Sequence, residues 1–415
     1  MFQRAFVHHI TIMVCCLVFL PSFAPAQEPI KIGFLYCFSG RLSHYCEAAK
    51  RGGELAIKEI NSQGGLSGRK LLGIYEDTEL KPEVGVARAK KLILEDKVDV
   101  LMGIVSSEVA RAVAPVANEH RTPLIITLAM TPDVTGRMCN PYTFRISQNG
   151  PQNLMGASIL ASGMQVKKWN TVGPDYVFGH QCWEYFQKYL KEKRPDVQFA
   201  SKSETVYGDV TTTDWKPHIA KVIQSGADGV LISLYGGNLI DFVRQATPMG
   251  LFDGKRQILM NLALSSEVMC GLGVNMPQGV WLSGLYWFQC NEGRTNRQFV
   301  DNYVAAHNVF PDYNAHGAYA GVKTYAAACT KAASPQKEGI VAALKGFSVD
   351  VPAGKLMIRP EDHQAVCPGV WGKTANLDQA IRCRILYPLK IFPGEEIAVP
   401  VSETGCSQPA RTASQ

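Results

Sequence analysis

The chain has 415 residues, of which 46% are hydrophobic and 19% charged, with a formal charge of +6. That length supports two domains with substantial cores, and the balance excludes a disordered or fibrous chain. The basic residues are scattered among acids, so nothing points to a nucleic-acid partner.

Residues 1–26 read as a secretory signal peptide: Arg4, an apolar run over 10–23, then Ala24-Pro25-Ala26 as a small-residue cleavage site. The apolar core is short for a bilayer span. Removing Arg4 with it leaves +5, and the product is expected to be exported to the periplasm. Cys15 and Cys16 leave with the signal; ten of the 12 cysteines remain. Some should pair in an oxidising compartment, with Cys37–Cys46 and Cys367–Cys383 as plausible short loops, though spacing does not fix connectivity. No C-x-x-C occurs, so a structural zinc site is not expected.

Residues 30–36 form a first strand, followed by a loop over 37–46. An amphipathic helix over 48–60 stops at Asn61 and the Gly64-Gly65 turn. A strand over 71–76 and a helix over 82–94 follow. The central stretch, 99–133, reads strand, turn, helix, strand, turn. Ser106 and Ser107 stand where a helix N-cap belongs, with Glu108 in the first turn. Pro123-Leu-Ile-Ile is the next strand, and Ala129-Met-Thr131-Pro132 turns away from its end. Strict βα alternation predicts an α/β fold with a doubly wound parallel sheet, whose ligands bind at the carboxyl edge of the strands. A helix start at that edge favours an anion.

An extended stretch over 140–147 leaves this domain, and a second βα series begins. It comprises a strand at 169–172, a loop at 173–179, a helix at 181–192, a strand at 227–233, a helix at 238–249 and a strand at 257–261. Residues 279–284 read as a return crossing, 296–307 and 317–333 as helices of the first domain, and 347–359 as a hairpin crossing back. The tail beyond Pro400 is polar and is expected to be disordered.

No phosphate-gripping or dinucleotide glycine motif, H-E-x-x-H or G-x-S-x-G occurs. A hydrolase using Ser106 or Ser107 would need a base, and the sequence does not place His44 or His120 beside them. What the strand-end loops do carry is hydroxyls and aromatic rings: Tyr45, Ser106, Ser107, Thr131, Tyr176, Phe178, Tyr235, Tyr286 and Trp287. A cleft between two such domains is a common small-ligand site.

The ordered set Ile30-Lys-Ile-Gly, Arg51-Gly-Gly-Glu-Leu-Ala-Ile-Lys-Glu-Ile-Asn, Gly64-Gly65-Leu-Ser-Gly68, Ser106-Ser107 with Ala114-Pro-Val-Ala, and Asn140-Pro-Tyr-Thr-Phe-Arg resembles the type I periplasmic solute-binding proteins. These serve ABC importers of the leucine/isoleucine/valine and amide kind. The resemblance runs from about Ile30 to about Pro393. It implies two doubly wound lobes with parallel sheets, joined by three hinge crossings and closing on a ligand. The lobes would comprise 27–146 with 281–348, and 147–280 with 349–395, leaving 396–415 as the tail. It implies no catalysis, no cofactor and no metal, a membrane permease as partner, and a monomer.

By the same resemblance Ser107, with Ser106 beside it, holds a ligand carboxylate. Ala129 and Thr131 line the next turn, Tyr45 the first loop, and Tyr235 the second lobe, where Phe178 replaces a tyrosine. Amino-acid-binding members place an acid near Asn261 for the ligand ammonium. The run Leu259-Met-Asn-Leu-Ala-Leu-Ser has none, and an uncompensated buried ammonium would cost several kcal/mol. Asp175-Tyr-Val-Phe-Gly179 with Trp183 and Phe186, and Arg359-Pro-Glu-Asp-His363, resemble the branch associated with aromatic acids from plant breakdown. The expectation is therefore a receptor for a small organic acid, an aromatic carboxylate. A branched-chain amino acid or amide binder, or a ligand sensor for a signalling partner, is the alternative.

Overall fold

The structure is a computed structural model describing residues 27–407 apart from 210, 334–335 and 379–382. The expected signal, 1–26, lies outside the described residues, as does the end of the tail.

The first lobe opens with β1 (Ile30–Tyr36), α1 (Ser43–Ser62), β2 (Leu71–Asp77) and α2 (Pro82–Leu94), then β3 (Val100–Gly103), α3 (Ser107–Glu119), β4 (Leu124–Ile126) and β5 (Thr143–Arg145). The strands make one parallel sheet in the order β2-β1-β3-β4-β5. Strand side chains alternate between its faces. Ile32, Phe34, Val100, Met102 and Ile125 fill the core on one face, and Leu35, Leu101, Leu124 and Ile126 that on the other. α1 starts earlier than its apolar periodicity indicates, so Tyr45 sits on a helix and not in a loop.

The second lobe runs α4 (Gly150–Ser162), β6 (Lys168–Pro174), α5 (Val177–Lys193), β7 (Gln198–Phe199), β8 (Val206–Gly208), α6 (Lys216–Gln224), β9 (Gly229–Ile232), α7 (Gly236–Ala246), β10 (Gln257–Met260), α8 (Ser266–Leu272) and β11 (Trp281–Gly284). Residues 281–284 thus do not begin the first lobe: β11 pairs with β10 in the larger sheet, and the chain crosses after Gly284.

α9 (Arg294–His307), α10 (Tyr313–Ala332) and α11 (Lys337–Leu344) return to the first lobe. α10 packs on α1 so closely that a Cβ on Gly52 would lie 2.0 Å from the Ala315 carbonyl oxygen. The expected hairpin, β12 (Ser348–Val351) with β13 (Gly354–Ile358), forms a small separate sheet with β14 (Ala365–Val366) and packs against α9 and α10.

β15 (Gly369–Asp378) and β16 (Cys383–Phe392) then join the larger sheet antiparallel, giving the order β16-β15-β11-β10-β9-β6-β7 with β8 also on β6. That sheet is therefore mixed: the chain re-enters it running against β11, and a hairpin then turns β16 back against β15.

After α12 (Gly394–Ile397) the chain is tied down as far as Cys406, which is disulfide-bonded to Cys139. Cys37, Cys46 and Cys367 are instead free buried thiols. Cys37 offers its backbone N–H to the Cys46 sulfur at 3.0 Å.

The hinge is a zipped pair of crossings. Arg145 N–H donates to the His363 carbonyl at 3.0 Å. Gln364 accepts from Thr135 Oγ1 at 2.9 Å and donates to the Ser147 carbonyl at 2.8 Å. Arg145 is wholly buried there, and burial pushes its guanidinium down to about 9.

Candidate functional site

Both sheets reverse strand order near their centres, the first between β1 and β3, the second between β6 and β9. Those switch points are where open α/β sheets leave a crevice. The connections following these four strands supply Tyr45, Ser107, Tyr176, Phe178 and Tyr235, and all five meet in one cleft between the lobes.

At the first switch point β3 ends in Gly103, at φ +120°, where a Cβ would lie 2.7 Å from the Leu35 carbonyl oxygen. Glycine permits that approach. Ile104 then donates to the Leu35 carbonyl and accepts from Ala129 N–H, stitching the turns after β3 and β4 together.

The two serines divide the work. Ser106 is the N-cap of α3, its Oγ accepting from Val109 N–H at 3.4 Å. Ser107 is the first helical residue; it is buried, and its side chain lines the inner pocket. The first N–H groups of a helix have no intrahelical partner, so an anion here meets donors and the positive dipole end.

The cleft has an inner and an outer part. The inner pocket, of about 40 Å³, is lined from the first lobe by Tyr45, Val105, Ser107, Leu128, Met130, Tyr313 and Asn314, from the second by Tyr176, Phe178, Tyr235 and Leu262, and by Leu285 at a crossing. It has no charged side chain among the described residues.

Its walls are rings in mutual contact. Phe178 meets Tyr235 edge-on at 5.7 Å, and Tyr45 meets Tyr313 edge-on at 6.0 Å. Tyr313 Oη lies 3.1 Å from Tyr45 Oη and 3.2 Å from the Leu262 carbonyl oxygen, so the hydroxyls bridge the lobes. Burial raises the phenols of Tyr45 and Tyr313 well above their ordinary value and pushes Tyr235 up to about 12, so all three are neutral. The outer chamber, about 480 Å³, shares Tyr176 and Tyr235 with the pocket and adds Ser106, Glu108, Asp175 and Asp209.

The other expected site residues lie behind these walls. Ala129 packs into the core behind the sheet, while Leu128 and Met130 turn forward. Thr131 is buried, its Oγ1 accepting from Asp133 N–H at 3.3 Å. Asn261 is buried against Cys182, its Oδ1 accepting from Ser283 Oγ at 3.0 Å. Tyr286 donates to Asn296 Oδ1 at 2.7 Å and stacks on His316.

The residues that take their places, Leu128, Met130, Leu262, Leu285 and Tyr313, are mostly apolar. Strand-end alternation in the sequence hints at Leu128, Met130, Leu262 and Leu285, whereas Tyr313 is the first residue of α10 and follows no strand. His44 is exposed, and His120 caps the far end of α3, about 20 Å along the helix from Ser107. Neither is hydrogen-bonded to Ser106 or Ser107 among the described residues. Among the described residues no group of three or more His, Cys, Asp or Glu is arranged to hold a metal, and no helix is long and apolar enough to cross a membrane.

A family model described as periplasmic binding protein matches residues 29–373. The Leu/Ile/Val-binding protein homolog 7 of Brucella suis is 28% identical over 251 residues, which span 59% of this chain and 61% of that protein. The Leu/Ile/Val-binding protein homolog 4 of Brucella melitensis is 23% identical over 419 residues, covering 95% and 96%.

Among solved structures, an amino acid ABC transporter substrate-binding protein from Pseudomonas fluorescens Pf-5 superposes with a TM-score of 0.81 at 22% identity, over 92% of this chain and all of that one. A solute-binding protein from R. palustris in complex with benzoate gives 0.76 at 24% identity, over 87% and 96%. At these identities the two structures show a shared fold.

Proposed function

This chain belongs to the periplasmic binding protein family, as a type I substrate-binding receptor of ABC transporters, and from that premise we propose that it captures a single-ring aromatic carboxylate. The observation that carries the reading is the inner pocket itself: ring-walled, without a charged side chain, and opening on the helix start at Ser107. A ligand carboxylate placed there would take the Ser107 hydroxyl and the free N–H groups, while its ring packs among Tyr45, Phe178 and Tyr235. The pocket holds roughly three to four waters, about the bulk of one six-membered ring. The benzoate-bound relative has the same fold and lends the ligand class support.

The receptor acts in the periplasm, hands its ligand to a membrane permease, and works as a monomer without a cofactor and without catalysis. Closure of the lobes supplies the affinity.

A second reading, a branched-chain amino acid, is favoured by Glu108. One oxygen of its carboxylate is buried without a hydrogen-bond partner among the described residues, one position from Ser107, where an ammonium would find it.

A thermal-shift screen separates the two. At about 100 times its dissociation constant a true ligand adds roughly 2.7 kcal/mol of stability. Benzoate and its hydroxylated derivatives should stabilise the protein. Stabilisation by leucine or valine, with none from aromatic acids, would replace the first reading by the second.

A further inference from the structure

Tyr176 and Tyr235 are the residues common to the inner pocket and the outer chamber. They follow the neighbouring strands β6 and β9, and their hydroxyls stand 2.5 Å apart. Tyr176 is the N-cap residue of α5 and Tyr235 that of α7, and neither caps its helix with its side chain. Both hydroxyls are therefore committed to each other. The pair forms a wall with about 40 Å³ on one side and about 480 Å³ on the other.

We propose that the Tyr176–Tyr235 hydroxyl pair is the length selector of this site: it restricts the pocket to acids of benzoate length, and the chamber behind it rejects any extension that ends in a second carboxylate. This rests on the reading that the inner pocket takes a carboxylate. An acid held at Ser107 and longer than benzoate must displace the tyrosine pair to fit. A neutral hydrogen bond contributes little net stability, so the wall resists through the two packed rings more than through the bond.

Beyond the wall the chamber is apolar at Leu42, Leu80, Pro174 and Leu234, and its charged residues are all acids: Glu108, Asp175 and Asp209. Glu108 uses one oxygen to accept from Ser106 Oγ; the other is buried and has no hydrogen-bond partner among the described residues. A far end bearing a hydroxyl meets acceptors there, whereas a far end bearing a carboxylate meets like charge.

Calorimetry with benzoate, 4-hydroxycinnamate and 4-carboxycinnamate on the wild type, Tyr176→Ala and Tyr176→Phe tests this. The wild type should prefer benzoate to 4-hydroxycinnamate at least tenfold. Tyr176→Ala should narrow that preference by a further factor of ten or more. Tyr176→Phe keeps the ring and loses only the bond, and should narrow it less. 4-Carboxycinnamate should bind weakly to all three proteins. A cooperative melting transition shows that Tyr176→Ala is folded, and loss of benzoate binding by that folded variant would overturn the selector. Benzoate binding with an unchanged preference in Tyr176→Ala, or equal affinity of the wild type for the short and long acids, would overturn the selector alone. Binding of none of these acids to the wild type would overturn the carboxylate reading and the selector with it.

Discussion

The hydroxyl of Tyr45, on the first helix of one lobe, accepts the backbone N–H of Gly236 at the start of α7 in the other, 3.3 Å away. Gly236 adopts φ +56°, and a Cβ there would press on Leu42 at 3.0 Å, so the glycine lets the two lobes meet. This contact belongs to the closed cleft. Tyr45→Phe removes the acceptor and keeps the ring. It should shift the population toward the open form and weaken binding about threefold to tenfold. Calorimetry and the radius of gyration from small-angle scattering check both.

Ser107→Ala should weaken binding of the best acid by roughly 1.5–3 kcal/mol, because a charge-assisted partner is lost inside the pocket. The amide analogue should suffer less. Ser106→Ala is the control: as the cap of α3 it should cost about 1 kcal/mol of stability with a smaller effect on binding. Equal losses for acid and amide in Ser107→Ala would move the carboxylate grip elsewhere.

Gly52→Ala should destabilise the first lobe by about 1–3 kcal/mol or more, since its methyl group would overlap the Ala315 carbonyl where α1 crosses α10. The urea midpoint reads the loss. An unchanged midpoint would mean that the helices separate without cost.

His363 and His316 are buried as neutral rings. Burial pushes His363 down from 6.5 to about 4 and His316 to about 3. The unfolded chain takes up these protons below about pH 6.5, and the native state does not until about pH 4 or lower. The stabilisation is therefore present above pH 6.5 and is lost as the pH falls, by about 2 kcal/mol per histidine at pH 5. His363→Asn tolerates the positive φ of +60° at this position and should flatten the fall of melting temperature between pH 7 and pH 5. An unchanged slope would assign the acid sensitivity to other groups.

The Cys139–Cys406 bond closes 267 residues of sequence and ties the tail to the loop before β5. Cys406→Ser, or reduction, should lower stability by about 2–4 kcal/mol while ligand affinity stays within a factor of two, because neither cysteine lines the cleft. A large loss of affinity would show that the tail helps to position the lobes.

The sequence by itself determined the βα alternation, the helix over Pro82–Leu94, and the serine pair at the start of α3. Apolar periodicity and capping residues act within one element, so they are legible without the rest of the fold. It also carried the aromatic character of the cleft, because Tyr45, Phe178 and Tyr235 stand close behind strand ends.

Only the tertiary structure decided which side chain of each strand-end turn faces forward. Ala129 and Leu128 differ by one position and lie on opposite sides of the sheet, a choice made by the hydrogen bonds joining the turns after β3 and β4. Only the tertiary structure paired Cys139 with Cys406, left Cys37 and Cys46 as thiols, and set β11 in the second sheet. It alone brought Tyr176 within 2.5 Å of Tyr235. Each of these depends on contacts between residues far apart in the chain, which local propensity does not encode.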